Sequence, residues 1–152
     1  MKGMSQIVKV IAELVKDFII LFGIYIILNG HLSPGGGFAG GVIIAASYIL
    51  ITLAFGRERA MKELSEKGSH ILDNFGVLLF WAVAVLGWLI PGQAFFSNFI
   101  QRFAPGSPYN ILTSGIILVC NIAIGIKVGA SLFSVFTALA HFESPLKGDD
   151  EE

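Results

Sequence analysis

Lys127 lies within an apolar run from Ile111 to Phe142, and a lysine inside a transmembrane helix costs roughly 2.5 to 3.5 kcal/mol on insertion scales. Such a charge needs a counter-charge, an exit to water or a task. Thr113, Cys120, Lys127, Ser134 and His141 recur at intervals of seven, so they share one side of a helix, with Ser131 beside them. Three readings are open for the lysine. It snorkels toward the cytoplasmic headgroups, it forms a structural ion pair with another helix or subunit, or it takes a direct part in proton or cation movement. Glu13 and Asp17 are the candidate partners, because counting inward from the chain start brings Glu13 to about the level of Lys127. These two carboxylates also suit paired acid–base chemistry. Their neighbours Lys9 and Lys16, at helical spacing, favour a solvated or subunit-facing charged face instead. His31 falls in a turn, where local hydrogen bonding is the default and a gating or proton-relay role is the alternative.

Other chemistries lack their parts. His31, His70 and His141 are far apart in sequence and fall on different sides of the membrane, so metal ligation has no support. No Ser-His-Asp or Cys-His set can be drawn from one side, so hydrolytic catalysis has no visible machinery and no cofactor is expected. The lone Cys120 reads as a small buried hydrophobe. Gly35, Gly37 and Gly40 match the spacing of a dinucleotide-binding fingerprint, with Glu58 downstream. That fingerprint needs a preceding strand and an amphipathic helix after it, whereas 38–55 is apolar almost all round. Asp73-Asn74 reads as a cap for the apolar run beginning at Phe75.

The elements that carry these residues can be placed from composition. Hydrophobic residues make up 55% of the 152-residue chain and charged residues 14%, with a mean hydropathy of +0.77, where soluble domains carry about 25% charged residues. An all-α integral membrane protein is expected, as one membrane domain over 1–146 with an acidic disordered tail at 147–152. Its four spans are placed at 7–28, 38–55, 75–90 and 111–142. The fourth is longer than a bilayer needs and must tilt, bend near Gly125 and Gly129, or project into water. Between the third and fourth, 93–110 interleaves phenylalanines with polar residues and is expected to lie in the membrane surface as an amphipathic helix. It is broken by Pro105-Gly106-Ser107-Pro108, with Asn110 or Thr113 capping the fourth span. Lys and Arg crowd the second connection, with Arg57, Arg59, Lys62 and Lys67, while the first has none. Both termini are therefore expected in the cytoplasm. A net charge of −1 gives no sign of a nucleic-acid surface.

The first connection, Gly30-His31-Leu32-Ser33-Pro34-Gly35-Gly36-Gly37-Phe38-Ala39-Gly40-Gly41, has hardly any side-chain bulk. Gly37, Gly41 and Ala45 give the next helix a bare stripe for close approach by another helix. Together with the adjoining Val-Ile-Ile-Ala-Ala, this string resembles the signature of the B subunit of Mrp-type multisubunit sodium/proton antiporters. The resemblance extends over the whole chain. The same subunit type recurs in Mrp-related respiratory complexes, including membrane-bound hydrogenases and sulfur-reducing relatives. The resemblance implies a small non-catalytic subunit of the plasma membrane. It implies partners in the large A-type and D-type subunits and the small C-type subunit, with the pumping machinery in the large subunits and a hydrogenase-type redox module possible in the wider complex. His31, Pro34, Gly35, Gly36, Gly37, Phe38, Gly40 and Gly41 carry over as motif residues. Lys127 and Glu13 take no role from it.

Overall fold

The computed structural model describes residues 4–32, 34–90, 92, 94–103 and 114–142. These residues form α1 (Gln6–Leu28), α2 (Gly36–Phe55), α3 (Arg57–Glu63), α4 (Glu66–Leu89), α5 (Phe99–Phe103) and α6 (Ile116–Phe142), with no strand among them. The capping expectations at Asn110 and Thr113, the breaker at 105–108 and the tail at 147–152 lie outside the described residues. Three helices, α2, α4 and α6, are long and apolar enough to cross a membrane. α1 has a comparable length of 23 residues, but it carries Lys9, Glu13, Lys16 and Asp17.

The long helices form a row. α1 packs on α2, α2 on α6, and α6 on α4. Contact at this range needs small residues, and the glycines of α2 supply them. A Cβ on Gly40 would stand 2.7 Å from the Gly23 carbonyl oxygen of α1, and one on Gly41 would stand 2.7 Å from the Gly125 carbonyl oxygen of α6. One face of α2 thus accepts both neighbours at backbone distance. Gly125 and Gly129 take part in the same apposition, facing Gly37 and Gly41, while α6 runs helical through both positions. Where the bare stripe ends, packing passes to a cluster of Ala12, Ile51, Ala54, Ala60 and Phe133, with the Tyr48 ring 5.8 Å from that of Phe133.

Large apolar side chains point outward. Phe18 and Leu21 on α1, and Leu78 and Trp81 on α4, are each more than 60% exposed. A small-residue interior under an apolar exterior is the arrangement expected where lipid or neighbouring subunits provide the solvent.

Two boundaries differ from the sequence reading. α4 begins at Glu66 and not near Phe75, because Ser65 caps it by accepting from the Gly68 amide at 3.0 Å. Asp73 is therefore two turns inside the helix and caps nothing. In the Phe-rich segment, helix is confined to Phe99–Phe103 among the described residues, and 94–98 folds back onto the ends of α4 and α6. The Phe96 amide donates to the Ala84 carbonyl at 3.4 Å, and Asn98 Oδ1 accepts from the Ile116 amide at 3.2 Å. The described part of this segment closes the hairpin as well as presenting phenylalanines outward.

Candidate functional site

Along α4, Ser69, Asp73 and Gly76 succeed one another at helical spacing and face α6. The spacing matters because Gly76 brings the backbones close: a Cβ there would stand 2.8 Å from both the Ala123 carbonyl oxygen and Lys127 Cβ. One turn away, that proximity lets a short aspartate reach across. Lys127 Nζ donates to Asp73 Oδ1 at 2.9 Å and to Ser131 Oγ at 2.9 Å, and Ser131 Oγ donates to the same Oδ1 at 2.6 Å. A second polar pair lies one further turn along. Ser69 Oγ donates to the Ala130 carbonyl at 2.8 Å, so at its 2.7 Å contact with Ser134 the proton comes from Ser134.

The pairing of Lys127 with Glu13 or Asp17 expected from counting is corrected. α1 and α4 stand at opposite ends of the helix row, and the carboxylate at the level of Lys127 comes from α4. Glu13 lies 3.4 Å from Arg59, and Lys16 lies 3.0 Å from Glu63, both across to α3. Asp17 is 79% exposed in its side chain and, among the described residues, reaches only Lys16, at 3.9 Å. α3 also joins α4 through the ion pair of Arg57 with Glu66. The exposed pairs Glu13–Arg59 and Arg57–Glu66 are each worth about 1 kcal/mol or less. The heptad stripe divides as well: Lys127 and Ser134 are in the α4–α6 seam, while Thr113 and the His141 side chain lie outside the described residues.

Among the described residues, the polar part of this seam stops at Lys127. On its other side the wall is Gly76, Val77, Phe80, Ala123 and Ile124. The seam can hold a charge pair and bias its hydrogen bonds, but these residues offer no continuous polar route along it.

The glycine-rich turn is a packing joint. Gly36 takes φ +79°, a conformation that L side chains rarely adopt, and the Gly37 amide donates to Asn121 Oδ1 of α6 at 3.3 Å. Asn121 stitches the start of α2 to α6, and nothing in the sequence singles it out, since one asparagine in a long apolar run carries no pattern. Gly36, Gly37, Gly40 and Gly41 are buried, whereas Pro34, Gly35 and Phe38 are exposed. His31 departs from the expected local hydrogen bonding. Both ring nitrogens are buried and have no partner among the described residues, as is true of Asn121 Nδ2. Because an unsatisfied buried donor gains nothing from being polar, His31→Phe is expected to leave the melting temperature in detergent unchanged or raised, as read by thermal unfolding of the purified chain.

Helices of this length, with apolar exteriors and glycine joints, define a multi-pass α-helical membrane protein. Residues 7–134 match the family model described as a domain related to the MnhB subunit of Na+/H+ antiporters, and the chain belongs to that family. It is 38% identical over 132 residues to an uncharacterized protein of Methanocaldococcus jannaschii, covering 84% of this chain and 49% of that one. It is 32% identical over 99 residues to the putative antiporter subunit mnhB2 of Staphylococcus aureus, covering 65% and 69% respectively. A chain in the structure of the membrane-bound sulfane sulfur reductase, an archaeal respiratory membrane complex, aligns with TM-score 0.75 and 31% identity over 89% of this chain and 57% of that one. The chain thus spans about half the length of the archaeal relatives.

Proposed function

We propose that the chain is an accessory membrane subunit of a multisubunit cation, here sodium, and proton antiport module, non-catalytic and transporting nothing by itself. The observation that carries this reading is the glycine joint. The string that resembles the antiporter B subunit is the one that brings α1, α2 and α6 to backbone distance, so its residues act through packing. The α4–α6 seam supports it, because a charge pair bordered by apolar wall suits a structural element better than a pathway. Partners are the large A-type and D-type subunits and the small C-type subunit. The termini and the basic stretch around α3 face the cytoplasm, and the glycine turn faces outward.

A second reading has its own observation, the similarity to a chain of an archaeal respiratory complex. There the chain is the equivalent subunit of a redox-driven ion pump, and the electron chemistry belongs to partners. Isolation of the native assembly through an affinity tag on this chain tests both. Co-purifying large membrane subunits with sodium-dependent proton movement in vesicles, and no iron, are expected for the first reading. Stoichiometric iron supports the second. A chain that purifies with no other subunit contradicts both.

A further inference from the structure

The Lys127–Asp73 pair is unfinished. The three side-chain hydrogen bonds within it use only Oδ1 of Asp73 and two of the three ammonium hydrogens of Lys127. The side chains remain 42% and 30% exposed on the outside of the helix row, and Asn74, next along α4, is exposed too. α6 is 27 residues long, about 40 Å at 1.5 Å per residue. Lys127 stands eleven residues from its start. Any 30 Å hydrocarbon slab placed along that helix leaves the Lys127 backbone at least about 6 Å from either face. Hydrocarbon offers no hydrogen bond to what the pair leaves free there, and Lys127 Nζ is kept from snorkelling to a face by its bonds to Asp73 and Ser131. Directly beside it, Gly76, Val77, Phe80, Ala123, Ile124 and Lys127 line an apolar groove of about 190 Å³.

We propose that this face is covered by a transmembrane helix of a different subunit. That helix places an apolar side chain in the Gly76–Phe80 groove and, about one turn away, an uncharged hydrogen-bonding side chain, an amide or hydroxyl, against Asp73 Oδ2 and Lys127 Nζ. The side chain is uncharged because the pair is already neutral, and a third charge would be left without compensation in the membrane. The proposal rests on the reading of the chain as a subunit of a larger assembly, and it adds which face docks and what meets it.

A photo-crosslinking residue at Val77, which is 51% exposed, is compared with one at Leu78, which is 62% exposed and a third of a turn further from Asp73. Both are placed in the intact assembly in native membranes. Val77 is expected to capture one helix of another subunit, with Leu78 giving lipid adducts. In parallel, Val77→Trp is expected to lower recovery of that subunit roughly tenfold at unchanged levels of this chain, the scale of disrupting an interface centre, while Leu78→Trp leaves recovery unchanged. Lipid adducts or a second copy of this chain at Val77, with the rest of the assembly still co-purifying, overturn the proposal and leave the subunit reading standing. Loss of all co-purifying subunits from the unsubstituted chain overturns the reading itself.

Discussion

Lys127→Met is expected to destabilise the purified chain by about 1–2 kcal/mol, because it strands the half-buried Asp73 carboxylate in the α4–α6 seam, between the roughly 1 kcal/mol or less of an exposed pair and the roughly 3–5 kcal/mol lost when a fully buried pair is broken from one side. Ser131 cannot replace the lost charge. Its single proton already goes to Asp73 Oδ1 at 2.6 Å, and one neutral hydrogen bond compensates only part of the carboxylate's desolvation. The double variant Lys127→Met with Asp73→Leu removes both charges at similar volume and is expected to recover most of the loss. Denaturant titration in detergent for the two single variants and the double gives the coupling directly. Additive losses would mean that the two residues do not depend on each other.

The second large effect is expected at the glycine joint. Gly41→Leu drives a branched side chain toward the Gly125 carbonyl oxygen, which a bare Cβ would already approach to 2.7 Å, and toward Val128, whose Cβ it would meet at 2.9 Å. Backbone cannot step aside as a flexible side chain can, so α2 and α6 must separate. Overpacking of this kind costs about 1–3 kcal/mol, and more where the obstacle is rigid. Separation also pulls the Gly37 amide from Asn121. Expression should fall and the melting temperature in detergent should drop by several degrees. Ala45→Gly on the same helix, which adds no volume, should not separate the helices. Thermal unfolding of the three proteins side by side reads the difference.

The glycine turn and the intramembrane lysine are legible in the sequence because both break a rule of composition. Bulk is missing where a helix begins, and charge is present where lipid should be. The partner of Lys127 is not legible. An aspartate just before an apolar run has the look of a cap, and only the earlier start of α4 at Ser65 puts it two turns inside. Counting residues along two helices gives depth, but not which faces meet, and so it sets Glu13 opposite a lysine that α6 turns toward Asp73 of α4. Asn98 and Asn121 escape notice for a similar reason. Each ties together segments distant in sequence, and no local pattern marks such a contact. His31 differs in the opposite sense, since a turn residue is expected to bond locally and its ring nitrogens are instead buried without a partner among the described residues.

In the proposed role this chain works by packing, with Lys127 held as one half of a fixed pair with Asp73. The most direct measurement is sodium-driven proton movement in vesicles containing the assembly with Lys127→Met, normalised to the amount of complex that still forms. A rate per assembled complex within about twofold of the unsubstituted assembly, alongside a lower yield of complex, is the predicted result. Full assembly with the rate per complex lost would rule out a packing role and place Lys127 in the ion path.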